Sequence, residues 1–153
     1  MSDEDLMLDA KHAFAKGDLV KSIELFNKVI EDDPKNLIAL FSRGTVFFRN
    51  EEYQKAIDDF TSYISINPSN EKIYCSRANA YLSLNQNEEA MKDLNRAIDI
   101  DPQYPTAYFT RSLAFKRLGE NEHAEEDQMA GEQLQRQLSQ AYYETQGIMY
   151  QNF

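Results

Sequence analysis

The sequence contains no tryptophan, two histidines and a single cysteine, Cys75. One cysteine excludes a disulfide within the chain, and a lone cysteine is more often a small packed side chain than a reactive thiol. Long hydrophobic runs are also missing, since no stretch approaches the roughly 18 apolar residues that a membrane-spanning helix needs. The acidic N-terminus, MSDEDLMLDA, does not resemble a secretory signal. These absences predict an intracellular, cytoplasmic protein that does not insert into a membrane.

Positive charge is scarce in this chain. There are 16 Lys and Arg residues against 26 Asp and Glu residues, which gives a net charge of −10 and a pI near 4.6. Because nucleic-acid binding requires a basic face, this balance argues against DNA or RNA as a partner. The five glycines are scattered and form no glycine-rich phosphate-binding loop.

What the sequence does contain is a repeated pair of amphipathic runs. In residues 36–68, apolar residues recur at helical spacing in the first half, a polar break follows at 49–52, and a second run of the same kind comes next. Pro68 ends the unit because proline lacks the N–H group that a helix needs. The pattern predicts a helical hairpin that is too small to bury its own apolar face.

Copies of this hairpin supply the missing burial. Pro34, Pro68 and Pro102 are 34 residues apart, which is a period typical of stacked helix–turn–helix units. The same kinds of residue recur at fixed distances before each proline. These columns are Ala10, Gly44 and Ala78; Ala13, Phe47 and Tyr81; Ser22, Ala56 and Ala90; Phe26, Phe60 and Leu94; and Val29, Tyr63 and Ala97. A fourth unit keeps the first half of the pattern but has no closing proline.

The alternation of small and large residues resembles the tetratricopeptide repeat family over roughly residues 3–131. Asp9 and Ala13 weaken the pattern in the first unit, and Gln128 and Gly131 weaken it in the last, as is expected of units that face water on one side. The resemblance implies an all-α fold, an α-solenoid of stacked antiparallel helical hairpins. It also implies that the first helix of each hairpin lines a concave surface and the second forms the convex one.

We expect helices near residues 3–16, 19–32, 37–49, 53–66, 71–84, 87–100, 105–118 and 121–146. They form repeat units at about 3–34, 37–68, 71–102 and 105–131, then an extended C-terminal helix over 132–146 and an apolar tail over 147–153. Gly17 ends the first helix with a left-handed turn, and the matching turns lie at Asn50-Glu51, Asn85 and Gly119; asparagine tolerates the same conformation, whereas Glu51 does not adopt it readily. The long last helix is interpreted as a cap on the stack, and the tail is expected to dock on protein.

Catalytic chemistry finds little support in this arrangement. His12 and His123 lie in the first and last predicted helices, so a two-histidine metal site or a Cys–His nucleophile pair is not expected. The sequence therefore predicts no enzyme activity, no cofactor and no metal ion.

The face that the first helices would expose suggests a binding groove. It is rich in aromatic residues that the packing columns do not require, and it carries several cations but only one acid, Glu4. An exposed apolar area with a polar rim is typical of an interaction site. The predicted peptide-binding residues are Phe14, Phe41, Thr45, Phe48, Arg49, Lys72, Asn79, Phe109, Lys116 and Arg117. Among these, Phe41, Phe48 and Phe109 are proposed as anchors, and Lys72, Arg49 and Arg117 as orienting groups.

Two further patterns bear on this groove. Arg43, Arg77 and Arg111 form another column at the 34-residue spacing, and we interpret them as structural residues whose charged ends meet acids. Some members of the family clamp the C-terminal carboxylate of chaperones with a set of Lys, Asn and Arg side chains. Only Lys72 matches that set in its proper place, so clamp-type binding of chaperone tails is disfavoured.

The resulting prediction is a non-catalytic adaptor, co-chaperone-like in architecture, whose concave groove binds a protein or peptide with apolar anchors and acidic residues. One alternative is a self-assembling subunit or homodimer in which the C-terminal helix and tail bury the groove. Another is a dedicated chaperone for one client protein.

Overall fold

A computed structural model describes residues 1–146, which form eight α-helices and no strands. The helices are α1 (Asp3–Ala15), α2 (Leu19–Asp32), α3 (Leu37–Arg49), α4 (Tyr53–Ile66), α5 (Glu71–Ser83), α6 (Asn87–Ile100), α7 (Pro105–Leu118) and α8 (Asn121–Thr145). The expected bounds are confirmed to within one residue at every helix end. The predicted tail at 147–153 lies outside the described residues.

The helices pair in chain order into four antiparallel hairpins, α1–α2, α3–α4, α5–α6 and α7–α8, and each hairpin packs on the next. The second helix of one hairpin contacts the first helix of the following one, and α5 also contacts the first helices on either side of it, α3 and α7. First helices are therefore drawn together along one side of the stack, which makes that side concave. The all-α solenoid expected from the sequence is confirmed.

Local sequence accounts for the helix ends. Side chains of Ser2, Asp18, Asn36 and Asn70 accept hydrogen bonds from the backbone at the first turns of α1, α2, α3 and α5. Each hairpin turn is closed by one backbone bond, as in Asp18 N–H to Ala13 C=O at 2.9 Å, and the same 2.9 Å bond recurs in the other three turns. This bond is the one that ends a helix in the Schellman motif, which needs a left-handed residue beside it.

Three apolar clusters bury the helix faces, each shared between one hairpin and its neighbour. Phe26 and Phe60 are 1% exposed and Leu94 is fully buried, at the same position in successive units. Gly44 faces Phe60 so closely that a Cβ atom there would lie 2.6 Å from the ring carbon Cε1. The small and large columns of the sequence are thus the contact points between helices.

A repeated ion pair ties the hairpins together. The Arg43 guanidinium donates two hydrogen bonds to the Asp59 carboxylate in its own hairpin, at 2.8 and 2.6 Å, and a third to Asn27 Oδ1 in the preceding hairpin, at 2.8 Å. Each arginine therefore joins three helices. The same set links Arg77 to Asp93 and Thr61, and Arg111 to Asp127 and Asn95. The structural interpretation of the arginine column is confirmed.

Burial decides how these pairs contribute. Side chains of Arg77 and Asp93 are 16% and 7% exposed. Burial raises the pKa of the Asp93 carboxyl, although the hydrogen bonds from Arg77 oppose the shift, and the same holds for Asp59 beside Arg43. A buried carboxylate with this balance contributes little net stability, but leaving either partner alone is costly.

The first prediction concerns this ion pair. We expect Asp93→Ala to lower the free energy of unfolding by about 3 kcal/mol because it leaves the Arg77 guanidinium buried and unpaired. The double substitution Arg77→Met with Asp93→Leu is expected to recover most of that loss. Urea unfolding measures both changes.

The control is Lys92→Ala on the same helix as Asp93. Lys92 pairs with Glu89, but both side chains are at least half exposed, so the change should stay within about 0.5 kcal/mol. If the double variant were as unstable as Asp93→Ala, the conclusion that an unpaired buried charge causes the loss would be contradicted.

The second prediction concerns the hairpin turns. Glu51 adopts φ of 60° where the first hairpin has Gly17 at φ of 81°. A left-handed non-glycine residue is strained, so we expect Glu51→Gly to raise stability by about 0.5–1 kcal/mol. Gly17→Ala is the matched reverse change, since nothing lies within 4 Å of the added Cβ, and it should lower the melting temperature. Equal signs for the two variants would refute the strain argument.

Candidate functional site

The concave surface contains an apolar pocket that was not predicted from the sequence. It lies between α1 and α3, has a volume of about 120 Å³, and is bounded by Lys11, Phe14, Phe26, Phe41, Ser42, Thr45 and Val46. Phe26 and Val46 are each 1% exposed and form its floor, while Phe41, 37% exposed, forms an upper wall. Exposed Lys11 is the one charged residue among those that bound it.

Two of the predicted aromatic residues belong to this region. The Phe41 ring lies 6.2 Å from the ring of buried Phe60, and it also lines the pocket. Phe14 is half-buried, and the Arg49 guanidinium lies over its ring at 5.4 Å. Phe14 and Arg49 therefore act together as a wall of the groove beside the pocket.

The expectation that packing does not require Phe48 and Phe109 is wrong. Phe48 is half-buried in a core cluster, with its ring 5.4 Å from that of Tyr53 in an edge-to-face contact. Phe109 lies against α8, so close to Gly131 that a Cβ there would be 2.7 Å from the ring carbon Cε1. Phe48 and Phe109 occupy positions between the repeat columns, so the columns give no indication of these contacts.

The predicted cations remain on this surface, but in different settings. Lys72 and Lys116 are exposed. Arg117 is also exposed, yet it donates a hydrogen bond to the backbone carbonyl of Leu82, in the last turn of α5, and so links α7 to α5. Together with Arg49 and Lys11 they give the groove a positive rim on a chain of net charge −10.

The polar candidates are less distinctive. Thr45 Oγ1 donates to the Phe41 carbonyl in its own helix at 2.9 Å, and this leaves the Thr45 side chain as part of the pocket wall. Asn79 is half-buried near the middle of the concave face.

Cys75 and Leu82 of the first helix α5 lie in the core and not on the concave surface. Both are 2% exposed and pack in a core cluster. Burial, together with the nearby carboxylates of Glu71 and Asp93, raises the pKa of the Cys75 thiol to about 12. The thiol is therefore held in its unreactive protonated form.

Among residues 1–146, no group of His, Cys, Asp or Glu side chains has an arrangement that could hold a metal ion. In the same described range, no helix is long and apolar enough to cross a membrane.

Several residues of the pocket were missed by sequence reasoning. Lys11, Ser42, Val46 and Phe26 come from three helices, and only their meeting in space makes a cavity. Lys11 and Ser42 do carry a signal, since both fall on the first-helix face that the repeat pattern exposes.

The geometry so far defines a solenoid of helical hairpins with an aromatic, cation-rimmed groove. A family model described as tetratricopeptide repeat matches residues 8–71, and one described as TPR repeat matches residues 78–119. The chain belongs to the tetratricopeptide repeat family, and at this coarse level it is a protein-interaction module.

Solved structures agree with this fold. MamA 41-end from Desulfovibrio magneticus RS-1 superposes with a TM-score of 0.83 at 20% identity, over 89% of this chain and 77% of that one. TTC0263, a thermophilic TPR protein in Thermus thermophilus, gives 0.75 at 19% identity, over 87% and 74%. A tetratricopeptide repeat protein from Parabacteroides merdae ATCC 43184 gives 0.75 at 29%, over 82% and 50%. No curated protein sequence matches the chain significantly.

The third prediction tests the packing of Phe109. Replacing a mid-helix glycine by alanine ordinarily stabilises a helix. At Gly131 we expect the opposite, a loss of about 1–3 kcal/mol, because the new Cβ overlaps the Phe109 ring.

Thermal unfolding of Gly131→Ala measures the effect, and Phe109→Leu in the same background should restore part of the loss because leucine lacks the overlapping ring atoms. If Gly131→Ala stabilised the protein instead, Phe109 would not be packed against Gly131 and would again be a candidate groove residue.

Proposed function

We propose that the concave groove binds a segment of another protein, either a peptide or a helix, through one apolar anchor and flanking acidic residues. The observation that carries this proposal is the pocket between α1 and α3, which is apolar inside, open to the concave surface and bordered by Lys11. A monomeric stack has no structural need for such an opening, since close packing elsewhere fills the space between helices.

The size of the pocket indicates the kind of anchor. Its volume of about 120 Å³ is smaller than the roughly 150 Å³ cavity that accepts a benzene molecule. An unbranched or branched aliphatic side chain, such as that of leucine, isoleucine or methionine, therefore fits better than an aromatic ring.

The cations of the groove indicate which partner residues would flank the anchor. Lys11, Arg49, Lys72, Lys116 and Arg117 spread along the groove, so a partner with carboxylates is attracted and turned into register. Rim charges of this kind act on association rate and orientation more than on affinity. The remaining predicted residues, Phe14, Thr45 and Asn79, would serve as groove wall, whereas Phe48 and Phe109 would act by supporting it.

This function makes the chain an adaptor, with a dedicated chaperone as a narrower form of the same activity. Self-assembly is the second candidate, and the observation that favours it is the uncovered second half of α8, treated below. A cytoplasmic location stays a prediction from the sequence.

The fourth prediction concerns selection of ligands. A library of random peptides displayed on phage, panned against the immobilised chain, should enrich leucine, isoleucine or methionine next to aspartate or glutamate. Lys11→Glu is expected to weaken the selected peptides about tenfold, with a smaller effect at high salt, because a rim charge is reversed. Phe41→Ala should weaken them by removing a pocket wall.

Lys28→Glu is the matched control, since Lys28 is also exposed but lies on α2 on a different face from Phe26. Melting temperatures confirm that each variant folds. Peptides that bind wild type, Lys11→Glu and Lys28→Glu equally would contradict the proposed site. Phe48→Ala is less informative here, because it also removes core packing.

A further inference from the structure

The last helix extends well beyond the hairpin that it completes. α7 has 14 residues and α8 has 25, so about 11 residues, or roughly 16 Å of helix, continue past the end of α7. Ala124, Asp127 and Gly131 are buried against the stack, whereas none of residues 132–146 is buried. The second half of α8 is thus a projecting element.

The projecting half keeps the apolar face of the buried half. Leu134, Leu138 and Tyr142, the α8 stripe, continue at helical spacing the line formed by Ala124 and Gly131. Leu138 is 49% exposed and Tyr142 is 61% exposed. Leu138 and Tyr142 add nothing to the cap on α7, because they lie among the residues past its end.

Charges on the projecting half are arranged about this stripe. At about 100° per residue, Glu132 and Glu144 lie on the two sides of the stripe, each about 120° from its centre. Arg136 lies about 160° from the same centre. A surface that covered the stripe would therefore have one carboxylate beyond each edge of the contact, and the one cation of residues 132–146 would lie on the far side of the helix.

This chemistry matches the groove. The pocket accepts an aliphatic side chain, and its border and the rest of the groove carry Lys11, Arg49, Lys72, Lys116 and Arg117. The pocket lies at the first and second hairpins, and α8 belongs to the fourth. A continuous helix at one end of the stack cannot bring its stripe to a pocket at the other end of the same molecule.

We propose that the α8 stripe of one copy occupies the concave groove of a second copy, with Leu138 as the aliphatic anchor. This inference rests on the proposed function and names the partner of the same site. The two surfaces are different, so the contact is heterologous: after it forms, one copy still has a free stripe and the other a free groove, and the assembly grows as an open chain or closes as a ring.

The fifth prediction is a complementation experiment on the full chain. The stripe variant carries Leu138→Ser and Tyr142→Ser, and the groove variant carries Lys11→Glu and Phe41→Ala. Sedimentation velocity from low micromolar to several hundred micromolar protein measures the mass. Wild type should grow beyond a dimer with concentration, each variant alone should remain monomeric, and an equimolar mixture should form a dimer and nothing larger.

The mixture stops at two chains because only one intact groove and one intact stripe meet. Met129→Ser is the matched control: Met129 is 64% exposed on α8 but lies on the side away from the stripe, so this variant should assemble like wild type. Circular dichroism melting verifies that the variants are folded, and all substituted residues lie outside the core clusters.

Three results would overturn the inference. Wild type could stay monomeric throughout, the stripe variant could assemble as wild type does, or the mixture could stay monomeric while wild type assembles, which would mean stripe-to-stripe pairing. The proposed function is judged separately, on the monomeric stripe variant. If that variant binds the displayed peptides in a Lys11-dependent way while wild type does not assemble, the groove function stands and only the choice of partner fails.

Discussion

The bidentate contact of each arginine with an aspartate 16 residues later is the interaction on which the stack depends. Hydrophobic columns bring helices together, but apolar contact is not directional and tolerates sliding. Arg43 fixes the distance between the two helices of its hairpin through Asp59, and the distance to the preceding hairpin through Asn27. Repeating this arrangement every 34 residues gives each of the three later hairpins the same contact with the hairpin before it.

The first hairpin stands outside this scheme, and the pocket lies there. At the positions equivalent to Arg43 and Asp59 it has Asp9 and Leu25, so α1 and α2 lack the ion pair. They are held by apolar contacts and by the hydrogen bond that Ser22 Oγ donates to the Ala10 carbonyl at 2.8 Å. The pocket opens between α1 and α3, beside the hairpin that lacks the ion pair, and a ligand there would bridge the first hairpin to the second.

Sequence reasoning reached the fold because its determinants are local and periodic. Prolines, turn residues such as Gly17 and Asn85, and small residues such as Gly44 each act within one hairpin or between adjacent ones, and they recur in phase. The site was harder to predict for a physical reason: spacing identifies the face of a helix on which a residue lies, but not what the neighbouring helix places against it. Phe109 was expected to be free, yet its ring packs on Gly131 of the paired helix α8.

The ends of a one-dimensional stack pose a problem that the interior does not, since each end must present a polar face to water. The first half of α8 solves it at the C-terminal end, with Ala124 and Gly131 turned inward and Glu125 and Glu126 exposed. The hairpin is fully capped at the point where α8 reaches the end of α7. None of the residues that follow is fully buried, yet they retain leucine and tyrosine in the same line. Fold stability explains the first half of the helix, and the proposed contact with a second copy would account for the apolar stripe on the second half.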